Sequence, residues 1–147
     1  MEERGFVCII DDGAAFLDGF SRLLEWRGYR VAAHTSAESA FEDILSEDID
    51  IVVSDVMMPG LTGLELVQYM REVGCTKPVV LMSSRLDATT IDRGKEIGVD
   101  EFVRKPFRPE EMFAAMDRAM KSGKVRVFCD RFSNLNEEEE VRATLIV

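Results

Sequence analysis

The chain has 147 residues, of which 46% are hydrophobic and 31% charged, with a formal net charge of -10 and a pI near 4.6. That length and composition suit one soluble globular domain with a full core and exclude disordered and fibrous classes. The acidic balance argues against nonspecific binding to nucleic acid or an anionic membrane and favours a cation or a basic partner.

No apolar run reaches the length of a bilayer span, and Met1 to Gly5 carries neither a basic region nor a long apolar segment, so no membrane contact and a cytoplasmic location are expected. Cys8, Cys75 and Cys129 are odd in number, far apart and outside any CxxC pattern, so they read as reduced thiols, with Cys8 in the core.

Phe6 Val7 Cys8 Ile9 Ile10 is a continuous apolar strand that stops at Asp11 Asp12. A helix is predicted over 14–27, where Phe16, Leu17, Phe20, Leu23 and Leu24 form one apolar stripe and Gly28 supplies a terminus tolerant of positive φ. Residues 29–33 read as a second strand with the polar alternation of a sheet edge, and the lone His34 after it reads as a solvated loop or strand end rather than a ligand. Ser36 starts a second helix with Ala37, Ala40, Phe41, Ile44 and Leu45 on its apolar face. Ile51 Val52 Val53 Ser54 is a buried strand that ends in Asp55, ahead of a Pro59-Gly60 turn.

Leu64, Leu66, Val67 and Met70 mark a third helix ending before Gly74, and residues 78–82 form a fourth strand finishing at Ser83 Ser84. The helix over 88–97 is weaker, because Thr89, Thr90 and Gly94 lower its propensity, and it suits a moving part. Residues 101–104 make a short fifth strand followed by Lys105 Pro106; Pro109 then opens a fifth helix whose Met112, Phe113, Met116, Ala119 and Met120 read as core. Five strand–helix alternations imply an α/β fold: a doubly wound five-stranded parallel sheet, flavodoxin-like, with strand order 2-1-3-4-5. Residues 1–121 form this domain, and 122–147 read as a linker and acidic tail in which 125–128 is a stray strand candidate and Glu137 to Glu140 an acidic run.

Polar groups end four of the strands: Asp11 and Asp12 after the first, Asp55 after the third, Ser83 after the fourth and Lys105 after the fifth. The predicted strand order gathers them outside the carboxyl edge of the sheet, where open α/β sheets bind ligands. Three carboxylates brought together need a cation, and oxygen ligands that leave room for water and phosphate suit Mg²⁺. A hydroxyl and an ammonium opposite them can hold an anionic oxygen, so the set allows attack by a carboxylate on phosphorus to give an aspartyl phosphate.

In these motifs the chain resembles the receiver domains of two-component response regulators over about Phe6 to Met120. The carrying residues are the Asp11 Asp12 pair, Asp55 within Asp-Val-Met-Met-Pro-Gly-Leu-Thr-Gly-Leu-Glu, Ser83, and Phe102 three residues before Lys105 Pro106. The resemblance implies Asp55 as phosphoacceptor, Asp12 as direct metal ligand, Asp11 as ligand through water and Met57 as ligand through its backbone carbonyl. It further implies Lys105 paired with the phosphoryl group, and Ser83 with Phe102 as a switch pair. Gly13 and Ser84 depart from the residues common in the family at those positions, without removing a needed group. Met57 and Arg85, which flank the phosphoryl position, are expected to tune its lifetime. The implied partners are a sensor histidine kinase or phosphotransfer protein, and a downstream effector or second copy bound through the fourth helix, fifth strand and fifth helix.

Residues 132–141 faintly resemble the linker and opening helix of LuxR-type helix-turn-helix output domains, without their basic residues. Two other readings use the same elements. A haloacid dehalogenase-type phosphatase also places an Asp nucleophile after a strand, but it expects a second Asp where Met57 stands. A flavodoxin-like nucleotide binder needs a Gly-rich phosphate cradle where this chain has Asp11 Asp12 Gly13. The leading reading is a switch that phosphorylates and dephosphorylates itself and turns over no metabolite.

Overall fold

The computed structural model describes residues 3–46 and 48–122. Strands β1 (Gly5–Ile10), β2 (Tyr29–His34), β3 (Ile51–Asp55), β4 (Val79–Ser83) and β5 (Glu101–Arg104) alternate with helices α1 (Ala14–Arg27), α2 (Ala37–Ile44), α3 (Gly63–Glu72), α4 (Ala88–Ile97) and α5 (Pro109–Met120). The strands are parallel and ordered β2-β1-β3-β4-β5, as expected from the sequence. Because side chains alternate across a strand, each central strand feeds two cores. Val7, Ile9, Ile51, Val53, Val80 and Met82 pack against α1 and α5. Cys8, Ile10, Val52, Val79 and Leu81 pack in the core on the other face, with α2 and α3.

Local chemistry sets the ends of the elements. Gly28 caps α1 at φ 106°, Ser36 accepts the Ser39 amide at 3.2 Å at the start of α2, and Pro109 opens α5. β2 lies at the sheet edge, matching its polar alternation. The buried Lys77 ammonium closes the end of α2 by donating to the Ile44 carbonyl at 2.7 Å and to the Ser46 carbonyl. The methionine stripe of α5 is core: Met112 and Met116 are fully buried.

Three expectations change. Phe16 belongs to the predicted apolar stripe of α1, yet it is 37% exposed, with its ring against Phe20 and Phe107. His34 ends β2 as expected, but its ring is engaged, with Nδ1 3.1 Å from Ser39 Oγ and Nε2 2.7 Å from Asp43 Oδ2. Cys8 is a free, buried thiol pushed up to about 12, first by burial and then by the Asp43 charge, whereas Cys75 is disulfide-bonded rather than reduced. The sequence readings of 123–147, including Cys129, the strand candidate and the acidic run, lie outside the described residues. Among the described residues no helix is long and apolar enough to cross a membrane.

Candidate functional site

In this strand order the chain reverses direction across the sheet between β1 and β3, and a ligand crevice forms outside the strand ends at such a switch point. Asp11 and Asp12 follow β1, and Asp55 is the last residue of β3. Asp11 is fixed at both ends of its residue. Its amide donates to the His34 carbonyl at 3.1 Å, and its Oδ1 accepts the Gly13 amide at 2.8 Å.

The backbone at Asp55 is held by the start of α3. Thr62 and Glu65 form a reciprocal capping box, with Thr62 N to Glu65 Oε1 at 3.0 Å and Glu65 N to Thr62 Oγ1 at 3.2 Å. This seats Gly63 directly on the Asp55 carbonyl, where any Cβ would overlap the oxygen and stand 3.1 Å from the Asp55 carbonyl carbon. Ser54 Oγ donates to the same carbonyl at 2.9 Å. A glycine opening α3 therefore lets the helix approach the residue that presents the carboxylate.

Asp11, Asp12 and Asp55 each offer an oxygen, all within 4.8 Å of one another. Asp11 and Asp55 are 3% and 9% exposed, while Asp12 faces solvent. The Lys105 ammonium fills the space opposite, donating to Asp11 Oδ2 and lying 3.4 Å from Asp55 Oδ2. Its main chain is anchored by the Lys105 amide donating to the Ser83 carbonyl at 2.9 Å. Burial holds the Asp55 carboxyl above its ordinary value of 3.8; the Lys105 charge opposes that rise, and the Asp11 charge adds to it.

The donor set fits a small hard cation. All the ligand atoms offered are oxygens, which is what Mg²⁺ takes, usually keeping several waters of its own. Three carboxylates with one ammonium among them carry the excess negative charge that such an ion requires.

The other predicted residues surround this cluster. Ser83 closes β4, is 1% exposed, and its Oγ accepts the Arg85 amide at 3.1 Å. Met57 is 64% exposed, and its backbone amide works against the rise that burial causes in the Asp55 carboxyl. The Arg85 side chain is exposed, near enough to Asp87 to contribute to lowering that carboxyl below its usual range, where the Thr90 amide is the main cause. Phe102 stands apart from the carboxylates, half-buried against α4. A Cβ on Gly94 would lie 2.7 Å from Phe102 Cε1, so the ring occupies the space a side chain there would take.

Three contributors escaped the sequence reading. Gly94 was visible only as a weak point of its helix, Gly63 as one position of the Asp55 motif, and Phe16 as part of an apolar stripe. A buried glycine in a helix eight residues before an aromatic is the trace Gly94 left.

Fold and site together define an α/β module that brings an acidic cluster and one lysine to the carboxyl edge of a parallel sheet. The response regulator receiver domain family matches residues 7–117, and the chain belongs to that family. It is 34% identical over 110 residues to the response regulator MprA of Mycolicibacterium vanbaalenii, covering 75% of this chain and 48% of that protein. It is 30% identical over 121 residues to the transcriptional regulatory protein FixJ of Bradyrhizobium diazoefficiens, covering 82% of this chain and 59% of that one. The chain thus spans about half the length of these curated relatives. The solved chemotaxis protein CheY4 of Vibrio cholerae superposes with a TM-score of 0.74 at 26% identity, covering 78% of this chain and 98% of that one. Receiver domains are signalling domains rather than metabolic enzymes, which agrees with the reading from the motifs.

The raised Asp55 carboxyl has a consequence for stability. A carboxyl whose folded value lies above its unfolded value stabilises the fold fully below the unfolded value, and that contribution is lost as pH rises through the folded one. In metal-free protein, the melting temperature of Asp55→Asn should therefore exceed that of wild type by a margin that opens above pH 3.8 and grows as pH rises through the folded value. A margin independent of pH, or one of opposite sign, would contradict the assigned cause.

Proposed function

We propose that this chain is a phosphorylation-dependent switch that accepts a phosphoryl group on Asp55 from a histidine of a sensor kinase or phosphotransfer protein. The observation that carries the reading is the convergence of Asp11, Asp12, Asp55 and Lys105 at one sheet edge. In this reading an Asp55 oxygen attacks the phosphorus, the acyl phosphate bond forms, the N–P bond breaks and the imidazole leaves. The Lys105 ammonium turns from the carboxylates to a phosphoryl oxygen, and the Ser83 hydroxyl turns to another. Asp12 and Asp55 would hold Mg²⁺ directly, Asp11 through water and Met57 through its carbonyl. Bound there, the ion supplies neutralisation of the phosphoryl oxygens.

Inward movement of Ser83 leaves space for Phe102, and that motion is what α4, β5 and α5 would report to an effector or a second copy. The only buried residue of α4 is Gly94, so that helix is lightly held, and Arg104 Nη2 ties β5 to the Leu86 carbonyl at 2.8 Å. Residues 1–121 act as the receiver unit. The apolar Met57 gives an attacking water no hydrogen bond, and Arg85 can hold a phosphoryl oxygen, so the phosphorylated form decays slowly.

A small-molecule phosphodonor with Mg²⁺ should label Asp55 alone, and Asp55→Asn should take up nothing. Phe102→Ala should be labelled normally but show a blunted chemical-shift change along α4, β5 and α5. Labelling of Asp55→Asn at the wild-type level would sink the proposal.

The lifetime argument predicts that Met57→Asn with Arg85→Glu speeds loss of the label about tenfold, a change of about 1.4 kcal/mol in barrier. Decay of labelled protein after donor removal, at fixed Mg²⁺, measures it; equal rates in both proteins would refute occlusion.

A further inference from the structure

Phe16 is a large aromatic residue left 37% exposed at the site's rim, and the Lys105 ammonium lies 4.2 Å from its ring centroid. The ring is braced from two sides. Phe20, one turn further along α1, meets it at 5.6 Å, and Phe107, two residues beyond Lys105, meets it edge-on at 6.1 Å and 89°. The aromatic cluster thus joins the start of α1 to the segment that carries the lysine. The Lys105 side chain is 19% exposed, so the cation is partly desolvated over the ring, which strengthens the attraction.

The other two groups on this ammonium, Asp11 and Asp55, are the carboxylates that a cation would share and, for Asp55, the one that would be phosphorylated. An aromatic face differs from both. It attracts the ammonium without titrating or binding metal, so it keeps hold when the carboxylates are otherwise engaged. Resting on the Asp55 phosphoacceptor reading, we propose that Phe16 is a positioning residue for Lys105: its ring face retains the ammonium beside Asp55 while the lysine passes from carboxylate to phosphoryl oxygen.

The test compares Phe16→Leu, which keeps apolar contact with Phe20 and Phe107 but removes the π face, with Phe16→Trp, which offers a larger one. In wild type the Lys105 ε-methylene protons should be shifted upfield by the ring, the shift should vanish in Phe16→Leu, and it should persist in Phe16→Trp. With acetyl phosphate and saturating Mg²⁺, Phe16→Leu should be phosphorylated about threefold more slowly, the scale of one partly exposed cation–π contact, and Phe16→Trp should recover the wild-type rate. A purely structural role predicts slowing in both variants, in step with melting temperature, and would overturn the proposal. Equal rates for Phe16→Leu and wild type would overturn it while leaving the Asp55 reading intact. A wild type that takes no label on Asp55 would remove both.

Discussion

Charge crowding at the carboxyl edge of the sheet is the constraint on which the rest depends. Two largely buried carboxylates, Asp11 and Asp55, and the exposed Asp12 share their space with a single ammonium. Burial and like charge raise the Asp55 carboxyl, and Lys105 offsets only part of that. Such a cluster is costly for a fold to assemble without a cation, and it is useful for that reason. A cation, or a step that moves negative charge onto a group Lys105 can reach, would relieve that repulsion.

The surrounding structure holds these groups together against their repulsion. The parallel sheet fixes β1 and β3 side by side, the Thr62–Glu65 box and Gly63 press α3 onto the Asp55 backbone, and the Asp11 side chain is oriented by the Gly13 amide. Farther down the sheet the constraints are ordinary packing. Arg71 collects the carbonyls of Cys75, Lys77 and Gly98, and Lys77 closes α2. The rigid parts therefore flank the chemistry, whereas α4, with Gly94 as its buried contact, is the loosely held element next to Phe102.

Most of the fold was legible because apolar runs, caps and turn residues agreed with one another. The buried strands end in polar residues, Gly28 and Ser36 mark helix ends, and strand–helix alternation leaves one economical topology. The polar site was legible for the same reason, since its residues sit at strand ends that the topology must bring together. What escaped depends on three-dimensional neighbours that no periodicity encodes. Phe16 has the spacing of a core residue, yet its ring is part-exposed and lies beneath Lys105. Gly94 reads as a weakness of its helix until the Phe102 ring is seen in the space it leaves. His34 lacked a partner in sequence because Ser39 and Asp43 meet it only once α2 packs back on β2.

If Lys105 is the resident counterion of the carboxylate cluster, it competes with Mg²⁺ for Asp11 and Asp55. Calorimetric titration of Mg²⁺ into wild type and into Lys105→Met measures that competition directly. Removing the ammonium should tighten Mg²⁺ binding several-fold; unchanged or weaker binding would contradict the view that one charge-crowded crevice holds the lysine and the metal in turn.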